Sequence, residues 1–389
     1  MKENRRMRLL TALGIILTVA GHCDANYLSI KDLFPYYSFH VYIFLFVAGY
    51  FYKSEDEKDL KAYVFRKAKS LLLPYFIWNL IYGAVSTVLV HNGIFIGGTL
   101  TLKNIFLEPI LGGHQFMLNF PAWFVVALFV VEMMNIIMRL ILKSCFSLWK
   151  AKNIETSVDI TAFILSFIIG AVTVYLALGG HVWDHLRTPG RWLIMLFGIE
   201  LGIMYRKYLE KLLESAKSDK VKSGFDVLGI VLLVLIQCVI VRHSNGINFS
   251  TVWCSSFANG PFMPFITVTT GIMFWLSVIR LLDRFIPDDS KALSPFLTVG
   301  RESYSIMTNH IAVLFLINSI WYLISSAGLL PALPEFDIRE YIYNVQYQYL
   351  YAGYHLTRII NTLLMVTIPT VLGFVYKKFT ARVKNAKAK

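Results

Sequence analysis

Ten apolar stretches, each at or near the about 20 helical residues needed to cross a hydrocarbon core of roughly 30 Å, constrain this chain more than any motif in it. They lie at residues 9–27, 35–52, 71–91, 121–142, 159–179, 190–205, 226–242, 261–282, 303–326 and 355–376. The second and sixth are the weakest, being short and carrying polar residues. With 56% apolar and 16% charged side chains and a mean hydropathy of +0.58, the chain does not have the composition of a soluble domain. The sequence predicts an all-α, polytopic transmembrane helical bundle of about ten spans. Residues 1–389 are expected to form a single integral-membrane domain, since no long soluble insertion, low-complexity segment or internal repeat interrupts the pattern.

A net charge of +13 raises the question of nucleic acid, and the positions of the charges answer it. Of the 37 Lys and Arg, 30 fall in alternate connections: the N-terminus, residues 53–69, 139–152, 206–222 and 280–301, and the C-terminal tail. By the positive-inside rule these connections and both termini are cytoplasmic, and an even number of spans agrees. The charge is topogenic and no nucleic-acid partner is expected. Cys23, Cys145, Cys238 and Cys254 show no CxxC spacing, so neither a metal site nor a redox motif is signalled. The basic start and apolar run at the N-terminus lack a small-residue cleavage site and read as a retained first span.

An isolated charge at mid-bilayer costs about 3 kcal/mol or more, so polar residues inside spans usually face the bundle interior. Here they are His22, His40, Glu132, Glu200, Asn309, His310, Asn318 and Asn361. His22 lies 14 residues past Arg8, about 21 Å along a helix, and His40 lies 13 residues before Lys53, about 20 Å along the returning one. The two rings are therefore expected at nearly one depth. His310, nine residues past Arg301, reaches about 14 Å into its span. Any one of these rings can be a neutral hydrogen-bonder between helices; three at compatible depths suggest a site. Tyr304 and His310 are six residues apart, roughly 240° around a helix, so His310 is taken as inward and Tyr304 as packing or interfacial. Glu200 is expected to face inward. Trp123 suits a rim anchor at the outer interface, and Arg191, at an outer helix start, suits either an acceptor contact or snorkelling.

Several separated stretches resemble the integral-membrane acyltransferase-three family, whose members O-acetylate envelope polysaccharides. LGIILTVAGH is similar to the family's first-helix ending in Gly-His, and FHVYIFLFVAGYFYK to its second helix. FRKAKSLLLPYFIWN resembles the basic segment leading into Leu-Leu-x-Pro-Tyr. PAWFVVALFVVE, FGIELGIMYRK and GRESYSIMTNHIAVLF resemble later segments in the same order. Many members carry Arg or Lys eleven positions before the first-helix His; here that position is Thr11, with Arg8 almost one turn earlier. The chain is most similar to the fucose four-O-acetylase-like branch.

The resemblance implies a membrane-bound enzyme that moves an acetyl group from acetyl-CoA, as co-substrate, to a sugar hydroxyl of a cell-envelope polysaccharide or exopolysaccharide, in the plasma membrane among its lipids. A neutral alcohol attacks a thioester poorly, so a base must take its proton, and histidine titrates near neutrality. His22 is the expected general base, with His40 orienting it or serving as an alternate. Arg66, Lys67 and Lys69, just before the third span, are expected to meet the donor's phosphates, although topology alone also places cations there. No metal is implied. The aromatic outer loops, with GGHQFMLNFPAW and YIYNVQYQYLYAGYH, suit either an interfacial belt or the mouth of a polymer-binding cleft. A secondary transporter or lipid-linked sugar flippase would share the span number and buried polar groups. Such proteins often carry internal repeats and paired broken helices, which this sequence does not display.

The charge distribution predicts that reporters fused after Lys58 and Lys217 are cytoplasmic and that one near Gly113 is exported. A cytoplasmic reporter at Gly113 overturns the topology and the depths assigned to the histidines.

Overall fold

The structure, a computed structural model, describes residues 4–23, 30, 32–112, 116–182, 186–244, 246–249, 251, 257–287, 290–329, 333–350 and 355–387. Gly113, Cys254 and part of the tyrosine-rich run, residues 351–354, lie outside the described residues. Among the described residues all regular structure is helical. The principal helices are α1 (Arg5–His22), α2 (His40–Tyr50), α3 (Leu60–His91), α4 (Met117–Leu148), α5 (Ile154–Leu178), α6 (Arg187–Met204), α7 (Asp219–Ser244), α8 (Met263–Phe285), α9 (Ser303–Ser326) and α10 (His355–Lys387). Each of the ten apolar stretches falls on one of them.

Seven, α3, α4, α5, α7, α8, α9 and α10, are long and apolar enough to cross a membrane. The other three fall short for identifiable reasons. α1 opens on Arg5, Arg6 and Arg8, α2 has only 11 residues, and α6 carries Arg187, Arg191 and Glu200 within its 18. The long helices expose rather than bury much of their apolar surface: Val227, Leu228, Val231, Leu232 and Leu235 of α7 are all open. In water such a face would be an aggregation liability, whereas against lipid tails it is the required surface. This is an integral membrane protein.

The described chain forms two compact units. The first comprises Met1–Gly14, Tyr27–Leu73 and Phe124–Lys291; the second comprises Ile15–Asn26, Pro74–Trp123 and Ala292–Lys389. α1, α3 and α4 contribute to both.

In the first unit α6 packs between α2 and α5, and α7 pairs with α8. The α2–α6 crossing depends on glycine. A Cβ on Gly202 would stand 2.0 Å from the carbonyl oxygen of Phe46, and one on Gly49 would stand 1.9 Å from that of Ile199. Two backbones approach this closely only where side chains are absent, the means by which membrane helices gain van der Waals contact without a hydrophobic driving force. After Met204 a π-helical turn, Tyr205–Leu209, carries α6 into the short helix Glu210–Glu214.

In the second unit α9 packs along α10, and the turn Met117–Ala122 at the start of α4 packs against α9. Lys377 Nζ donates to Glu302 Oε1 at 2.9 Å near one end of the α9–α10 pair. Near the other, Asn318 Nδ2 donates to the carbonyl of Tyr347 at 2.6 Å and Asn318 Oδ1 accepts from the amide of Tyr349 at 3.1 Å. Asn318 thereby ties α9 to the tyrosine-rich segment.

Gly202→Ala should lower the melting temperature of the solubilised protein, because overpacking against backbone costs about 1–3 kcal/mol or more. Gly224→Ala, where a Cβ meets nothing within 4 Å, should leave it unchanged or slightly raised. Equal melting of the two variants contradicts the close crossing.

Candidate active site

His22 ends α1 inside the second unit. Its ring centroid lies 5.2 Å from that of His310, the planes inclined by 33°, and 5.1 Å from Phe120, which meets it edge-on. Its carbonyl accepts from Gln348 Nε2 at 2.9 Å, which fixes the end of the helix. His310 is fully buried on α9, and its Nδ1 lies 2.7 Å from the carbonyl of Ile306, one turn back. A carbonyl only accepts, so Nδ1 carries the hydrogen and Nε2 of the neutral ring is a lone-pair acceptor. That Nε2 is buried and has no hydrogen-bond partner among the described residues.

The neighbouring residues in sequence carry further buried hydrogen bonds. Asn309 Oδ1 accepts from the Tyr82 hydroxyl at 2.7 Å, and its Nδ2 donates to the carbonyl of Ser305 at 2.8 Å. Asn119 Nδ2 donates to Asn79 Oδ1 at 3.0 Å. Asn79 and Tyr82 are three apart on α3 and share a face, while Asn119 adjoins Phe120. α3 thus supplies one partner to each of two buried polar pairs, one with α9 next to His310 in sequence and one with α4 next to Phe120 in sequence. Tyr304, half-buried on α9, lies away from His310 around the helix. Trp123, 7% exposed, is buried rather than displayed.

His40 belongs to the first unit, and its Nδ1 donates to the carbonyl of Tyr36 at 2.8 Å. The unit's largest polar feature surrounds Arg139, 2% exposed. Its Nη1 donates to both oxygens of Glu200, at 3.1 and 3.2 Å, and its Nη2 donates to Asp159. Its Nε lies 3.6 Å from Glu57 Oε1, and its guanidinium stands 5.1 Å from the centre of the Tyr52 ring. Lys207 holds Asp159 at 2.9 Å, Lys143 holds Glu57 at 3.0 Å, and the Tyr52 hydroxyl donates to Glu57 at 2.6 Å. Three carboxylates meet three cations, so this buried cluster is neutral. Glu57 lies in the connection after α2. Burial works against its charge, but Tyr52, Lys143 and Arg139 outweigh burial and hold its carboxyl below the usual range. Glu200 is therefore committed to Arg139, and Arg191 is buried with Nη2 3.1 Å from Thr188 Oγ1.

The sequence reading missed Arg139, Asp159 and Glu57 as buried ion partners. Arg139 and Asp159 sit inside the apolar runs of α4 and α5, which was the available signal, but both lie at span edges where charges also serve topology.

The basic segment before the third span is already engaged. Arg66, exposed, pairs with Asp56 at 2.7 Å, and Lys67 Nζ reaches Glu132 Oε1 at 2.5 Å; Lys69 is exposed. Lys67 and Glu132 line a cavity of about 290 Å³ together with Thr11, Phe44, Ser70 and Leu128. Among the described residues no three His, Cys, Asp or Glu side chains converge as metal ligands.

A family model described as an acyltransferase domain matches residues 4–376. No curated protein and no solved structure matches.

Arg139→Met should destabilise the protein by about 3–5 kcal/mol, because it strands buried carboxylates. Adding Glu200→Gln should recover part of the loss. Melting of the single variant indistinguishable from the parent contradicts the clamp. The depressed Glu57 carboxyl contributes stability above the unfolded value of about 4.3, and this is lost as pH falls through the folded value.

Proposed function

The chain belongs to the acyltransferase-three family, and from that membership we propose that it is an O-acyltransferase moving an acetyl group from acetyl-CoA to a sugar hydroxyl of an envelope polysaccharide or exopolysaccharide. That it is an acyltransferase with acceptors other than amino-acyl groups follows from the family itself. The finer reading adds ten spans, cytoplasmic termini, a single functional domain in the plasma membrane and kinship with the fucose four-O-acetylase-like branch. The donor then arrives from the cytoplasm, with Arg66, Lys67 and Lys69 at its entry. Carbohydrate is the acceptor, with Trp123 and Arg191 as candidate contacts. Glu200 positions helices through Arg139.

The observation that carries the mechanism is the His22–His310 pair with its unpartnered Nε2. In this reading His22 takes the proton from the acceptor hydroxyl while that oxygen attacks the thioester carbonyl. The tetrahedral intermediate collapses, the C–S bond breaks, and the coenzyme A thiolate leaves and takes up the proton. The products are the sugar ester and the free thiol. His310 is a positioning residue: its Nδ1–H is held by Ile306, which leaves its Nε2 as an acceptor beside the base. His40 is the alternate base.

His22→Ala should cut turnover by about 10² to 10⁴ at normal expression, the usual contribution of positioned proton transfer. His22→Gln should not rescue, since an amide cannot take a proton at neutral pH. His310→Gln should be less damaging and should shift the pH–rate profile, and His40→Gln should be mildest. These effects are measured as labelled acetyl transfer at matched protein levels. Normal transfer by inserted His22→Gln protein moves the base elsewhere.

A further inference from the structure

A second group of cations lies where α2 and α6 finish their glycine-mediated crossing. Lys53, Arg206, Lys207 and Lys211 line a cavity of about 250 Å³ with Gly49, Tyr52 and Glu55. The π-helical turn Tyr205–Leu209 builds it. An α-helix places residues five apart on different faces, whereas i to i+5 bonding brings Arg206 and Lys211 toward one side. Gly49 keeps the opposite wall low, because any side chain there would strike Ile199.

The cations are not equally occupied. Lys207 is held by both oxygens of Asp159. Arg206 donates to the carbonyls of Tyr50 and Tyr52 at 2.9 and 3.2 Å, which orients its guanidinium without neutralising it. Lys53 and Lys211 are exposed and have no ion-pair partner among the described residues. With Lys207 committed, Lys53, Arg206 and Lys211 face the single carboxylate of Glu55, a surplus of two positive charges around an open concavity. A planar guanidinium fork flanked by two mobile ammonium groups suits a phosphate group.

We propose that this cavity binds the phosphate-bearing head of the acyl donor. The proposal rests on the reading of that donor as acetyl-CoA. It adds a binding site separate from Arg66, Lys67 and Lys69, two of which are paired with carboxylates. The headgroup of an anionic lipid offers the same phosphate chemistry, and the two sources separate by experiment.

Coenzyme A is titrated into the full-length protein in nanodiscs of zwitterionic lipid. Binding of anionic-lipid vesicles to the detergent-solubilised protein is measured in parallel. Lys53→Gln combined with Lys211→Gln should weaken coenzyme A binding about tenfold and raise the KM for acetyl-CoA similarly with kcat unchanged, because remote phosphate contacts supply binding rather than chemistry. Lys53→Arg combined with Lys211→Arg should restore both. Unchanged coenzyme A affinity in the glutamine pair overturns the site, and so does a loss confined to anionic-lipid binding. A parent protein that binds coenzyme A through these lysines but never transfers acetyl from its thioester keeps the site and overturns the proposed reaction.

Discussion

Inside a bilayer each polar group must find its partner within the protein, because lipid tails offer none. Arg139 meets most of this demand: both terminal nitrogens are hydrogen-bonded to carboxylates, and Nε faces Glu57 at 3.6 Å. A guanidinium buried among Glu57, Asp159 and Glu200 joins α4, α5, α6 and the connection after α2 at one point, and Lys143 and Lys207 balance the remaining charge. Such a cluster adds little net stability over an apolar core, but removal of one member leaves charge stranded, so it defines which arrangement of helices is tolerated. α6 is held on one side by this cluster and on another by Gly49 and Gly202, which allow α2 to approach to backbone contact. The basic cavity at the end of that crossing follows from the same geometry.

Other buried polar atoms among the described residues also lack a hydrogen bond, Asn79 Nδ2 and Asn135 Oδ1 among them, but the Nε2 of His310 is the one that belongs to an imidazole. The amides of Asn309, Asn119 and Asn318 are hydrogen-bonded, and the buried hydroxyl of Tyr82 is used. In the proposed mechanism His22 takes the proton that leaves the alcohol, and the His310 lone pair beside it is a hydrogen-bond acceptor that positions the base.

The fold was legible to a large extent, since hydropathy alone places all ten principal helices. The lengths of α1, α2 and α6 were less so, because each trades apolar residues for charged or turn-forming ones at positions that tertiary contacts support. Of the site, His22, His310 and Glu200 stood out as ionisable residues within apolar runs. Their partners did not. Arg139 with Glu200, Lys67 with Glu132 and Tyr82 with Asn309 join residues 61, 65 and 227 positions apart, and helical periodicity carries no information about which distant faces meet. Depth along their helices sets His22 and His40 at nearly one level, and within its own unit the imidazole beside His22 is that of His310. Depth along a helix does not specify the direction in which a ring points.

Transfer of an acetyl group to envelope carbohydrate is the proposed reaction. Mass spectrometry of envelope glycans from cells with and without the gene tests this most directly. Ester-linked acetyl groups, released by mild base, are expected to be present with the gene and lost without it. Identical acetylation in the two glycan pools, with the protein expressed and inserted in the membrane, would contradict it.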